Sequence, residues 1–354
     1  MSSTRLCILA AGGTGGHINA ALAIGESVQE LGLEVEYISG KRTLDFKLFK
    51  NQKVKHIDSK PLRTKSPVEL LKNIYLNFKT FIELFAYFIR VKPLFVLGAG
   101  GYVCGPTLLA AKLLNIPVFI VEQNAVMGLT NKILSFIADT IFVHFTKTQG
   151  LLPRFDHKVK VVGNPTRKSI KPVLIEAFHQ PLRVLVFGGS LGAKQINDLI
   201  FELLQSSENL NLEIRHQLGP GAKAPEIQTK ISYQSFEYID DIQAQYEWCD
   251  IIVARAGAST VSELKIIGKP VLLVPYPQAT DNHQVLNAEI FKSEADFGVG
   301  IIYPCESKSQ GLHKMKSFLN EVTSGKISSR KTSVVENNSC HLVTKEIKRY
   351  VGLV

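Results

Sequence analysis

Short, nearly continuous apolar runs recur along this chain, and each is followed by a longer stretch with helical spacing. The pattern predicts strands at Leu6–Ala11, Val35–Ile38, Phe95–Leu97, Pro117–Val121 and Ile141–Val143 in the first half. In the second half it predicts them at Arg183–Phe187, Leu212–Gln217, Ile251–Val253 and Val271–Val274. Strands rich in Val, Ile and Leu without polar alternation suit a sheet covered on both faces, and their alternation with helices points to parallel α/β architecture. The runs from Arg5 to Gly13 and from Arg183 to Gly189 are both strands that lead into a glycine loop and a helix. Two such starts predict two Rossmann-like domains, at 1–163 and 164–335, divided at Gly163-Asn164-Pro165 after the strand-like Val159–Val162. Residues 336–354 form a terminal helix segment, with Leu342–Val351 as its core; the pattern leaves open which domain it packs on.

Two apolar segments raise the question of a membrane. Pro93 to Ala111 carries no charge, yet it holds Gly98, Gly100, Gly101, Gly105 and Pro106, so strand, glycine loop and helix fit it better than a span. Val68 to Lys92 is the most lipophilic helical stretch. Leu71, Ile74, Tyr75, Phe78, Phe81, Ile82, Phe85, Phe88 and Ile89 follow helical spacing and are expected to face the core. Leu70, Leu76, Leu84 and Tyr87 extend the apolar surface beyond that face, among Lys72, Lys79, Arg90 and Lys92, which suits an interfacial patch on an anionic membrane surface.

Composition narrows the classes. With 354 residues, 45% of them hydrophobic, the chain has material for two buried cores. The formal charge of +10 favours an anionic partner. The basic residues are scattered and no RNA or DNA module signature occurs, so nucleic acid ranks last. Cys7, Cys104, Cys249, Cys305 and Cys340 are widely spaced and read as free thiols. Met1 to Arg5 leads straight into the first strand and does not have the form of a signal peptide.

Chemistry concentrates at glycines. Gly12-Gly13-Thr14-Gly15-Gly16-His17 follows the first strand and opens a helix. Such a loop lets a ligand approach main-chain N–H groups, and the helix dipole favours an anion there. A dinucleotide fingerprint fits poorly, because Ile18 stands where the third glycine belongs and the second strand ends in Ser39-Gly40 without a ribose-binding acid. Gly98-Ala99-Gly100-Gly101 and Gly188-Gly189-Ser190-Leu191-Gly192 follow two further strands. A tight turn would explain one such loop. Three, at strand carboxyl ends, point to a diphosphate ligand in a central cleft faced by both sheets.

In the second half, Arg255-Ala256-Gly257-Ala258-Ser259-Thr260-Val261-Ser262-Glu263 places small residues at a helix start and a carboxylate one turn in, fit to accept both hydroxyls of a ribose. Plain helix capping by Ser259 or Thr260 is the alternative. The run Pro275 to Asn287 adds a rigid loop and polar side chains, with Gln284 and Asn287 on one helix face.

Taken in order, these motifs resemble a known family. Gly12–His17, Gly100–Pro106, Glu122-Gln123-Asn124, Gly128–Lys132, Val162–Pro165, Gly188–Ser190, Arg255–Glu263 and Asp281–Asn287 together are similar to the MurG family of peptidoglycan synthesis, over roughly residues 5–300. Ala20 replaces the proline usual there, and Val121 stands where many members carry a histidine. The resemblance implies a GT-B fold and an inverting transfer of N-acetylglucosamine from UDP to undecaprenyl-linked lipid I, yielding lipid II. No Asp-x-Asp occurs and Asp240-Asp241 has no supporting ligand cluster, so no metal site is expected, nor a cofactor. The resemblance implies a peripheral place on the cytoplasmic face of the plasma membrane and partners in the cell-wall and division machinery. Thr14, Gly15, Gly16, Asn124, Arg167, Ser190, Ile239, Ala258, Ser259, Thr260, Val261, Ser262, Glu263 and Gln284 then match donor contacts, with Asn287 beside them. For the catalytic base two residues stand open: His17, kept neutral at a helix N-terminus, and Glu122 at a strand end. A nicotinamide dehydrogenase, another UDP-sugar enzyme such as a 2-epimerase or glycolipid synthase, and a non-catalytic UDP-sugar scaffold are the competing classes.

Overall fold

Strands flanked by helices pair in parallel because each crossover returns the chain to the same edge, and that is the arrangement throughout this protein. The computed structural model describes residues 5–64, 66–173, 177–206, 210–330 and 338–353. Met1–Thr4 and the segment 331–337, which contains the boundary expected before the terminal helix, lie outside the described residues. The chain divides into two units, Met1–Arg167 with Asn337–Val354, and Lys168–Glu336.

The first unit runs β1 (Leu6–Ala10), α1 (Gly15–Gln29), β2 (Glu34–Ser39), α2 (Thr43–Leu48), β3 (Val54–His56), α3 (Pro67–Val91), β4 (Val96–Gly98), α4 (Cys104–Leu113), β5 (Val118–Glu122), α5 (Leu129–Leu134), β6 (Thr140–Val143) and β7 (Val159–Val161). Its sheet has the order β3-β2-β1-β4-β5-β6-β7. The second unit runs β8 (Leu182–Phe187), α6 (Lys194–Ser206), β9 (Leu212–Gln217), β10 (Ser232–Phe236), α7 (Ile242–Trp248), β11 (Ile251–Ala254), α8 (Ala258–Ile267), β12 (Val271–Leu273), α9 (His283–Glu294), β13 (Val299–Ile301) and α10 (Lys308–Thr323). Its order is β10-β9-β8-β11-β12-β13. The last helix, α11 (Ser339–Val351), returns to the first unit, where Cys340, Val343 and Ile347 join the core of Ile18, Ala21 and Phe119. Each such buried aliphatic or aromatic side chain contributes roughly 1.5–3 kcal/mol of transfer free energy.

The expected strands are all present, and Pro93 to Ala111 folds as strand, glycine loop and helix. Three strands had no predicted counterpart: β3, β10 and β13. All three are edge strands, half wetted by solvent, so their sequences lack the apolar run that marks a central strand.

The expectation for α3 is corrected. The residues assigned to the core side are mostly on the surface: Leu71 is 68% exposed, Tyr75 65% and Phe78 62%, with Ile74, Ile82 and Ile89 also exposed. The buried seam is Asn73, Thr80, Leu84 and Phe88. Polar anchors explain the rotation. Asn73 Nδ2 donates to the Pro61 carbonyl at 2.9 Å, and Asn77 Oδ1 accepts from Ser59 Oγ at 2.6 Å and Lys60 N at 3.0 Å. These bonds seat the polar stripe on the preceding loop and turn the apolar one outward. Among the described residues no helix is long and apolar enough to cross a membrane.

In the second unit a buried histidine carries a consequence for stability. His216 on β9 is fully buried, its Nδ1 3.1 Å from Tyr233 Oη and its Nε2 3.1 Å from Asn197 Oδ1, and burial pushes its imidazole down to about 3. Below the unfolded value of about 6.5 the unfolded chain takes up a proton that the folded chain refuses, so stability is lost as pH falls. Thermal melts should show the second unit losing up to about 1.4 kcal/mol per pH unit below pH 6.5 from this group, and His216→Gln should flatten that dependence.

Candidate active site

In the first unit the residues of interest stand on the loops that follow β1, β4 and β5, which are neighbours in the sheet. The backbone after β1 turns at Gly13, and Thr14 caps α1 by accepting the His17 N–H at 3.4 Å. The loops after β1 and β4 are in direct backbone contact, with Gly12 N donating to Gly100 O at 3.3 Å. A side chain at Gly101 would run into the Gly12 carbonyl, 2.2 Å from the Cβ position. At Gly100, where φ is +111°, a Cβ would stand 2.6 Å from His17 Cδ2 and 2.8 Å from Nε2. The imidazole therefore lies flat against bare backbone. His17 Nδ1 is 3.2 Å from the Gly12 carbonyl oxygen. A carbonyl only accepts, so Nδ1 is the protonated nitrogen in this contact.

Glu122, the other candidate base, is buried and encircled by donors. Its Oε1 accepts from Asn124 N at 3.0 Å and Asn124 Nδ2 at 3.2 Å, and its Oε2 from Gly128 N at 2.9 Å and Asn131 Nδ2 at 2.9 Å. This carboxylate organises the loop from Gln123 to α5 and fixes the orientation of the half-buried Asn124. Gln123 Nε2 ties the same loop to the β4 loop through Ala99 O at 2.7 Å. Arg42 lies against the first glycine loop, its Nη1 donating to Gly13 O at 3.2 Å and its guanidinium 5.0 Å from the Tyr102 ring. Arg167 is half-buried at the end of the first unit.

In the second unit the loops after β8, β11 and β12 lie side by side. Ser190 is half-buried on the first of them. Gln217, at the end of β9, donates to Gly189 O at 2.9 Å and accepts from Ile239 N at 2.8 Å, which sets Ile239 beside the glycine loop. The helix α8 starts at Ala258, and its N-cap is Gly257 without a side-chain cap. The capping arrangement weighed for this segment is not what forms. Ser262 Oγ instead donates to Ala258 O at 2.8 Å, while buried Glu263 accepts from Tyr246 Oη at 3.0 Å. The N-cap residue thus supplies no side chain at the amide end of α8, and Val261, Ser262 and Glu263 are buried behind that end.

Arg255 joins these loops. Its Nη1 donates to Gln195 Oε1 at 2.8 Å, Val274 O at 2.8 Å and Pro275 O at 3.1 Å, and its guanidinium lies 5.3 Å from the Tyr276 ring. Burial lowers the guanidinium to about 10, which leaves it charged at neutral pH. Gln284 Oε1 accepts from Tyr276 N at 2.9 Å. Asn287, expected on the same ligand face, is wholly buried and donates to Ala256 O at 3.1 Å, so it braces the loop that leads into α8. Asp281 and Asn282, both with left-handed φ, make the turn that starts α9. The structure thus brings the sequence-predicted residues together on neighbouring loops within each unit, apart from Arg167, which stands at the end of the first unit. Gln217, Tyr246, Asn131 and Arg42 were not foreseen; a polar residue closing an apolar strand beside a glycine loop was the available signal for Gln217.

Known proteins match this arrangement in both units. Residues 7–143 match the glycosyltransferase family 28 N-terminal domain, and residues 183–330 its C-terminal domain. A Shewanella denitrificans UDP-N-acetylglucosamine--N-acetylmuramyl-(pentapeptide) pyrophosphoryl-undecaprenol N-acetylglucosamine transferase is 35% identical over 312 residues, covering 84% of this chain and 83% of its own. The Shewanella frigidimarina protein of that name is 37% identical over 323 residues, covering 86% and 84%. The chain belongs to the MurG family of glycosyltransferases. The crystal structure of Acinetobacter baumannii MurG is similar to it with a TM-score of 0.73 and 29% identity, over 97% of this chain and 99% of that one. A Neisseria meningitidis UDP-GlcNAc 2-epimerase bound to UDP-GlcNAc, at TM-score 0.64 and 14% identity over 97% and 100%, shares the fold alone. Both halves therefore carry the GT-B architecture of two α/β domains, and the nicotinamide reading falls away.

The contact of Gly100 with His17 makes a MurG-family site testable at one atom. Gly100→Ala should keep the fold, with a lower melting temperature from the strained φ, and should lower transfer turnover by about 10–100-fold by displacing the imidazole. Unchanged turnover in a folded variant would separate Gly100 from the chemistry.

Proposed function

We propose that this protein transfers N-acetylglucosamine from UDP-N-acetylglucosamine to the C4 hydroxyl of the N-acetylmuramoyl unit of undecaprenyl-linked lipid I, giving lipid II with inversion at the anomeric carbon. The observation that carries this reading is identity to named transferases of that reaction across more than four-fifths of the chain. Donor recognition falls mainly to the second unit. Glu263 accepts the ribose hydroxyls, Ile239 and Gln284 border the nucleotide, and Ser190 with the start of α8 from Ala258 to Thr260 meets the diphosphate, Val261 and Ser262 packing behind it. Thr14, Gly15, Gly16, Asn124 and Arg167 add contacts from the first unit, while Asn287 serves by bracing Ala256.

For the proton, the geometry favours His17. It stands at the N-terminus of α1 with Nδ1 turned to the Gly12 carbonyl, whereas both oxygens of Glu122 already accept N–H groups. His17 Nε2 takes the proton of the attacking hydroxyl, the new bond forms to the anomeric carbon, and UDP departs with the bonding electron pair. Amides aimed at the diphosphate stabilise the charge that develops on it. Glu122 holds Asn124 in place.

The lipid acceptor gives the outward face of α3 a purpose. Val68, Leu71, Tyr75, Phe78 and Ile82 are exposed, as are Leu109 and Leu113 on α4 and Leu129 and Ile133 on α5, and α4 packs against both neighbours. Lys72 and Lys79 lie within this surface, and the Arg154 guanidinium sits 4.4 Å from the Phe136 ring at its margin. An apolar area edged by cations suits the interface of an anionic bilayer.

Incubation of labelled UDP-N-acetylglucosamine with lipid I should place the label on lipid; label released as free sugar or retained as an epimerised nucleotide sugar would overturn the proposal. His17→Ala should lower turnover by about 100-fold or more while UDP affinity stays within a few-fold. Phe78→Asp with Leu71→Asp should abolish salt-sensitive binding to anionic liposomes and leave UDP affinity intact.

A further inference from the structure

The donor reading leaves unexplained how a carboxylate as buried as Glu263 keeps one orientation. Glu263 is 7% exposed, and the hydroxyl of Tyr246 donates to its Oε2 at 3.0 Å. Tyr246 has no exposed surface, so it meets no ligand itself. Its helix is fixed at both ends. Asp241 caps α7 by accepting the Ala244 N–H at 3.0 Å. At the other end the buried Lys269 ammonium donates to the carbonyls of Tyr246 at 2.6 Å, Glu247 at 3.3 Å and Cys249. Lys269 directly follows Gly268, the left-handed cap that ends α8. One short segment thus closes α8 and grips α7, which sets the distance between the phenol and the carboxylate. The Tyr246 ring also meets Phe187 edge-on, with centroids 6.1 Å apart, and Phe187 is the last residue of β8 before the loop of Ser190.

We propose that Tyr246 is a positioning residue for donor recognition, whose hydroxyl holds the Glu263 carboxylate in the orientation that accepts ribose hydroxyls and so carries the preference for ribose over deoxyribose donors. The proposal rests on the reading that Glu263 binds the ribose. A carboxylate offers several lone-pair directions, and its terminal torsion is broad. A charge-assisted bond from a rigid phenol occupies one direction and stops the rotation. The carboxylate then meets the sugar already oriented, with less of an ordering step at binding. Without the hydroxyl this restraint is lost, and the loss falls on ligand groups that bond to the carboxylate, the 2′-hydroxyl among them, and not on the base or the diphosphate.

The test is calorimetry of the full chain with UDP and with 2′-deoxy-UDP, for the wild type, Tyr246→Phe and Glu263→Gln. Phenylalanine keeps the ring and its contact with Phe187. Tyr246→Phe should weaken UDP by about tenfold, the size expected for losing a bond to a charged group, and weaken 2′-deoxy-UDP less than about threefold. The ribose preference should then collapse toward that of Glu263→Gln, with KM for UDP-N-acetylglucosamine raised more than kcat is lowered. Tyr246→Leu, which also removes the ring, should lower the melting temperature further yet give the same preference. Parallel weakening of both nucleotides in Tyr246→Phe, or an unchanged preference, would overturn the positioning role alone. A wild-type protein that binds both nucleotides equally would remove the ribose role of Glu263 and this proposal with it.

Discussion

The first amides of a helix have no partner within the helix, and nearly everything in this protein follows from where those amides are left open. Parallel strands deliver each following helix with its N-terminus at one edge of the sheet, and α1 and α8 both start there on glycine-containing loops. At α1 the cap is a single threonine. At α8 it is glycine, with no side-chain cap, and Ser262 bonds within the helix to Ala258 O. A nucleotide diphosphate is the complement of that arrangement: compact negative charge, many acceptor oxygens, and no need for a side chain to reach it.

Open amides serve only if the loops that carry them hold still, and here the bracing side chains are buried, charged or amide-bearing, and drawn from other elements. Arg255 joins three segments of the second unit through one nitrogen, and Gln217 joins two with one amide. Glu122 does the same in the first unit with four N–H groups. Each brace is satisfied by backbone or amide partners, so its desolvation is offset and the ligand-facing loop needs little rearrangement on binding. Side chains can thus support a site from behind: Asn287 donates to Ala256 O, and Tyr246 to Glu263.

That distinction marks how far the sequence could be read. Central strands were legible because burial on both faces leaves an unbroken apolar run; β3, β10 and β13 were not, since an edge strand of three to five residues has no such run. The glycine loops and the Ala258–Glu263 segment were legible because their chemistry is local. The α3 helix was legible as amphipathic but not in its orientation, since periodicity gives the angle between faces and not which one meets protein. The deciding contacts, from Asn73 and Asn77 to the loop at Ser59–Pro61, belong to tertiary structure. The phenol of Tyr246 lies in the same blind spot: its partner is seventeen positions away, on another helix.

The last helix, α11, supplies Cys340, Val343 and Ile347 to the core around Ile18 and Phe119. The ribosome makes the sheet of the first unit before the second unit, yet the side chains of α11 that join that core emerge only after the second unit has been synthesised. The unit that is translated first is therefore the one completed last, and its apolar face beneath α11 must stay shielded from other nascent chains for the time it takes to translate the intervening domain.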